Sequence, residues 1–272
     1  MSIDFSSKLK AQSSKLKEPR SEFLRKLRGS SGSIGSPLRV ILTVLAIFIL
    51  SQYLAAIIVA FYARLAHPAI NISWYINHSV DAQFFFILLA ESLAIGLVWW
   101  VLTRRRVDWR SIGFSRWPHW RDIKWATAGF VAFYALSIIV SLIISLIWPN
   151  LNIDQNQNVG FSTLVGPQAW ILAFIGLVIL PPLGEETLVR GYLYTGLRSK
   201  MKFLPALLIT SVMFGAAHFQ TDNGQLIWAV ALDTFMLSLV LVYLREKTGV
   251  LYAGIMVHLL NNLVAFLVHF HV

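Results

Sequence analysis

Seven ionisable side chains fall within strongly apolar stretches of the chain: Glu91, Glu185, Glu186, Arg190, His218, Asp233 and His258. An ionisable group in a membrane helix is costly, so each is a candidate for function until a structural role explains it. Five of the seven lie in three short patterns. In Glu185-Glu186-Thr187-Leu188-Val189-Arg190, residues four apart share a helix face while adjacent ones point about 100° apart. Glu186 and Arg190 are therefore expected to pair, which makes the charges tolerable in lipid and leaves Glu185 facing elsewhere. Both acids would also suit the first turn of a helix after Pro-Pro-x-Gly. That role can account for Glu186, but a lone carboxylate at Glu185 needs another reason.

In Phe214-Gly215-Ala216-Ala217-His218 an aromatic ring precedes a histidine by one turn, and the small residues between them permit close helix approach. In His258-Leu259-Leu260-Asn261-Asn262 a histidine and an amide share one helix face, the equipment for holding a developing oxyanion. If Glu185 and His218 converge on one water, the carboxylate can take its proton as general base while His218 orients it. Attack on a peptide carbonyl would then give an oxyanion for His258 and Asn262 to bind. Nothing else in the chain makes a better hydrolytic set. There is no cysteine, Gly160-Phe161-Ser162 lacks the nucleophile-elbow pattern, and no His-Glu-x-x-His pair is present. One carboxylate and two histidines are ligands enough for zinc. Against zinc, no two histidines share a helix at four-residue spacing, and Asn262 is a poor zinc ligand but a good donor. The reading is therefore metal-free water activation with no cofactor, with zinc as the alternative.

The elements that must position these groups are membrane helices. The chain is 57% hydrophobic and only 13% charged, whereas soluble domains carry roughly a quarter charged residues. Hydropathy predicts about seven spans in an all-α polytopic bundle, near 40–62, 84–102, 125–148, 169–198, 203–219, 226–244 and 250–270. The fourth is expected to break at Pro181-Pro182-Leu183-Gly184. Counted at about 1.5 Å per residue from the cytoplasmic ends, Glu185, His218 and His258 sit roughly 20, 24 and 12 Å deep. Tilted or broken helices must reconcile that spread if the groups meet.

The net charge of +10 is carried by groups that flank the spans: nine Lys/Arg in residues 1–39 and seven between Arg104 and Lys124. This is a topology signal rather than a nucleic-acid surface. The segments 66–83, 149–168 and 220–225 contain no Lys or Arg, while the alternate segments carry Arg198, Lys200, Lys202, Arg245 and Lys247. Charge alternates across all the spans, which places the N-terminus in the cytoplasm and the C-terminus outside. Two glycosylation-type tripeptides, beginning at Asn71 and Asn77, fall on the outer side and occur often by chance. The organisation expected is a basic polar tail over 1–36, N-terminal helices over 37–150 and a catalytic membrane core over 165–272. The tail does not read as a secretory signal, and the first apolar run reads as a retained helix.

Glu-Glu-x-x-x-Arg, Phe-x-x-x-His and His-x-x-x-Asn, in this order on successive apolar helices, resemble the CPBP family of CAAX proteases and bacteriocin-processing (Abi) enzymes. That family includes the type II prenyl endopeptidases such as Rce1. The resemblance covers roughly Ala169 to Phe270, with Thr248-Gly249 also where the family often has it. It implies an intramembrane glutamic endopeptidase acting on a membrane-associated peptide or protein. Glu185 would match the general base, and Glu186 and Arg190 the rest of that motif. His218 would match the water-orienting histidine, and His258 and Asn262 the oxyanion site, with Phe214 in support. The chain departs from the family on the penultimate helix, where Phe235 is followed by Ser238 and Val242 rather than glycines, and where Asp233 is unusual. These changes bear on the substrate more than on the chemistry. The reading from another class is a non-catalytic membrane protein that binds or transports a peptide or lipid. The partners expected are membrane lipid and a peptide or tethered protein substrate, without nucleic acid, in a bacterial plasma membrane.

Overall fold

A computed structural model describes residues 33–152, 155, 159–161, 164–222 and 225–272. Most of the expected basic tail, residues 1–32, lies outside these, as does Ser162. Six helices are long and apolar enough to cross a membrane: α1 (Pro37–Ala66), α3 (Val80–Arg104), α4 (Trp120–Ile147), α5 (Gly166–Lys200), α7 (Trp228–Thr248) and α8 (Tyr252–Phe270). The short α2 (Ile72–His78) joins α1 to α3, and α6 (Phe203–Ala216) follows α5. A two-stranded hairpin, β1 (Gln220–Asp222) and β2 (Gln225–Ile227), links α6 to α7. The protein is a multi-pass helical membrane protein.

α6 is the departure from seven equal spans. Its 14 residues reach about 21 Å, short of the roughly 30 Å hydrocarbon core. It is therefore too short to span the core by itself, and the hairpin follows shortly after its end.

The second departure is in α5. Pro181-Pro182 does not interrupt it; the helix runs on, widened into π-turns over Ile175–Ile179 and Thr187–Leu193. Each wide turn takes up a residue, so Leu180 N–H bonds to Ile175 O and Tyr194 N–H to Val189 O, five residues back. Such bulges accommodate a missing proline N–H and are frequent at functional sites.

Packing brings the basic connections around Arg105, Arg116, Arg198 and Arg245 to one end of the bundle. Arg105 donates to Ile34 O, and Arg245 donates to Ser111 O at 3.3 Å. Tyr252 Oη donates to Arg116 O at 2.7 Å, and Arg198 pairs with Glu246 at 3.0 Å. At this end Arg116 also grips Asp122 through two hydrogen bonds of 2.7 and 2.6 Å, which hold its guanidinium above its ordinary pKa. At the other end Gln155 accepts from Ala229 N at 2.9 Å, and Phe161 N donates to Gln83. That is the segregation the positive-inside rule requires.

The buried core divides into contiguous clusters: one where α1 and α3 meet α5 and α6, one between α4, α7 and α8, and one around Phe161, Val178 and Phe266. Large apolar residues such as Leu42, Phe61, Leu142 and Leu146 face outward from α1 and α4, as lipid-facing positions should.

Candidate active site

Glu185, Glu186 and Arg190 come from α5, Phe214 from α6, His218 from just beyond α6, and His258 and Asn262 from α8. The structure gathers them. Glu185 Oε2 lies 3.9 Å from His218 Nε2 and 3.8 Å from His258 Nε2. The unequal depths counted along the sequence are reconciled because α6 is short and α5 is widened on both sides of the glutamates.

The pair expected from four-residue spacing is present. Arg190 Nη1 donates to Glu186 Oε1 at 2.8 Å, and both side chains are 0% exposed. Spacing did not show that the same oxygen also faces His258 Nδ1, at 3.1 Å. With its proton on Nδ1, His258 donates to the Glu186 oxygen that also accepts from Arg190. Its Nε2, the atom turned toward Glu185, then holds a proton only when the ring is an imidazolium. His218 is set in the same way: its Nδ1 lies 2.8 Å from Phe214 O and donates to that carbonyl, which leaves Nε2 for Glu185.

Phe214 does more than cover His218. Its ring centroid is 4.6 Å from that of His218 and 5.9 Å from that of His258, while Arg190 Cζ sits 4.1 Å from the ring centre. One aromatic ring thus contacts both histidines and takes up part of the buried guanidinium charge. Arg190 Nε and Nη2 have no hydrogen-bond partner among the described residues, which makes this ring contact more valuable.

Asn262 Nδ2 donates to Leu177 O at 2.9 Å. The reason is local: the residues four and five positions after Leu177 are Pro181 and Pro182, and neither has an N–H to give. Asn262 supplies the donor that the helix cannot, which leaves one amide N–H for a ligand. The two prolines announce an orphaned carbonyl, but its partner lies 85 residues away, beyond any local pattern.

Glu91, flagged in the sequence without a role, lies against the same turn. A Cβ added to Gly184 would meet Glu91 Oε2 at 1.8 Å, so this carboxylate lies against the backbone directly before Glu185 and a side chain at 184 would displace it. Close approach also governs α6. A Cβ on Gly215 would meet Ala231 O at 2.7 Å and Phe235 Cβ at 2.9 Å, so α6 and α7 touch backbone to backbone, three residues from His218. Gly215→Ala is expected to cost about 1–3 kcal/mol by forcing the two helices apart. Thermal unfolding in detergent checks this; an unchanged midpoint would mean that the contact is slack.

The site opens onto a cavity of about 670 Å³ between α4, α7 and α8, lined by Glu185, His218, His258 and Asn262 together with Tyr134 and Asp233. Among the described residues no trio of His, Cys, Asp or Glu is arranged to hold a metal ion.

Residues 167–264 match the family described as Type II CAAX prenyl endopeptidase Rce1-like. An uncharacterized 24.3 kDa protein of Escherichia coli is 34% identical over 91 residues, which cover 33% of this chain and 40% of that protein. No solved structure matches the chain. The matched stretch contains every residue of the cluster formed by α5, α8 and the end of α6, and over residues 167–264 this chain is similar to the Rce1-like family of CAAX prenyl endopeptidases.

Proposed function

We propose that the protein is an intramembrane endopeptidase that hydrolyses a peptide bond of a membrane-associated peptide or protein through a water activated by Glu185. The observation that carries this reading is one carboxylate oxygen, Glu185 Oε2, set 3.8–3.9 Å from two imidazole nitrogens on the wall of a cavity large enough for a peptide segment. The family match supports proteolysis as the class of chemistry.

In this scheme a water between Glu185 and His218 gives its proton to Glu185 and its other hydrogen bond to His218 Nε2, whose lone pair is exposed by the Nδ1 contact with Phe214 O. The water oxygen bonds to the substrate carbonyl carbon, and the carbonyl oxygen becomes an oxyanion. His258 Nε2–H and the free N–H of Asn262 bind it. Donation from Nε2 uses the doubly protonated ring, with Nδ1–H held by Glu186. As the intermediate collapses the C–N bond breaks, and Glu185 returns the proton to the departing amine. The positive-inside arrangement and the bacterial relative support a bacterial plasma membrane as its location.

The test is cleavage of lipid-anchored peptides by purified protein in liposomes, followed by mass spectrometry. Binding without cleavage by the intact protein would favour a non-catalytic role. His258→Ala and Asn262→Ala should each remove about 2.7–4 kcal/mol of transition-state stabilisation, seen mainly in turnover. Asn262→Ala should in addition lower the unfolding temperature, because it strips the donor from Leu177 O. Chelators are expected to leave activity intact. One zinc per chain, lost together with activity on chelation and restored with it, would overturn these roles and make Glu185, His218 and His258 metal ligands.

A further inference from the structure

The cavity that Glu185 lines holds a second carboxylate that the hydrolytic scheme does not use. Asp233 stands on α7 in a membrane span, lines the cavity, and accepts a hydrogen bond from Ser137 Oγ of α4 at 3.1 Å. Tyr134 and Asn261 line the same cavity, and Tyr134 Oη approaches Asn261 Oδ1 at 3.5 Å. Among the described residues no Lys or Arg lines the cavity; the ionisable groups there are Glu185 and Asp233, the histidines 218, 258 and 269, and Tyr134. A carboxylate in lipid is normally paired with a cation or turned toward a polar path. Here Glu186 has Arg190 and Glu246 has Arg198, whereas Asp233 has a serine and open space.

We propose that Asp233 is a specificity subsite for a cationic side chain, so that the substrate carries a lysine or arginine within a few residues of the cleaved bond. The inference rests on the peptidase reading and adds the substrate's charge to it. The bound cation would complete the pair that the fold leaves open, with Ser137 orienting the carboxylate and Tyr134 and Asn261 offering further polar contacts. Because cavity and site are continuous, a side chain seated on Asp233 fixes which peptide bond is presented to Glu185.

The experiment uses the full chain in liposomes and lipid-anchored peptides in which one residue near the cleaved bond is lysine, norleucine or glutamate, walked position by position. The wild-type protein should prefer lysine at one position. Asp233→Asn keeps the shape and the Ser137 contact but removes the charge, and should reduce the lysine-to-norleucine ratio of kcat/KM at that position at least about thirtyfold. Asp233→Lys should shift the preference toward glutamate. If cleavage occurs with no basic preference, or if Asp233→Asn leaves the ratio unchanged because the carboxyl is neutral in the wild type, the subsite is refuted and the peptidase reading stands. A second arm measures peptide binding in a Glu185→Gln background. Lysine-selective binding that Asp233→Asn abolishes, in a protein that never cleaves, would keep the subsite and refute the peptidase reading; unselective binding would refute the subsite.

Discussion

Glu185→Gln is expected to lower the rate of peptide cleavage by at least about a hundredfold, with expression and thermal stability close to wild type. The amide has the volume of the carboxyl but cannot accept the proton of the attacking water. Folding should tolerate the change because Glu185 is not part of the buried ion pair; Glu186 holds Arg190. Glu185 Oε2 is buried without a hydrogen-bond partner among the described residues, so the substitution breaks no bond the fold relies on. The loss should fall on turnover rather than on peptide binding, since the cavity wall keeps its shape. Cleavage by the variant at the wild-type rate would remove Glu185 from the chemistry.

The second large effect is on stability. Glu186→Ala and Arg190→Ala should each cost on the order of 3–5 kcal/mol, because each strands an opposite charge in a dry interior. Removing both should be milder than the sum of the two. The measurement is a double-mutant cycle on unfolding in detergent, and strict additivity would show that the two groups do not interact. The structure predicts a further asymmetry. Loss of Glu186 also removes the acceptor 3.1 Å from His258 Nδ1, which frees the ring to change tautomer. Loss of Arg190 leaves that contact in place but strips the charge over Phe214. At equal destabilisation, Glu186→Ala should therefore impair turnover more than Arg190→Ala.

What the sequence by itself determined is what depends on local order. Apolar runs of span length, the alternation of basic connections and the four-residue spacing of Glu186 and Arg190 are properties of short stretches. The membrane bundle and the ion pair could be read from them, because hydropathy and helix periodicity act within a segment. The three motifs could also be read as one hydrolytic set, but not as one place, since depth counted along straight helices set Glu185, His218 and His258 apart.

Tertiary structure decided that. Ending α6 at 14 residues and widening α5 around Pro181-Pro182 and after Glu186 bring the two Nε2 atoms to within 4 Å of one oxygen. The proline pair marks a disturbance in the helix, yet whether that becomes a break or a π-turn depends on who supplies the missing donors. Asn262 supplies one, from another helix. The protonation pattern of the histidines belongs to the same class of fact. The Nδ1 atom of His218 is tied to its own helix, whereas that of His258 is tied to Glu186, 72 residues away. Contacts between helices are fixed by packing of whole faces, and no short stretch of sequence carries that information.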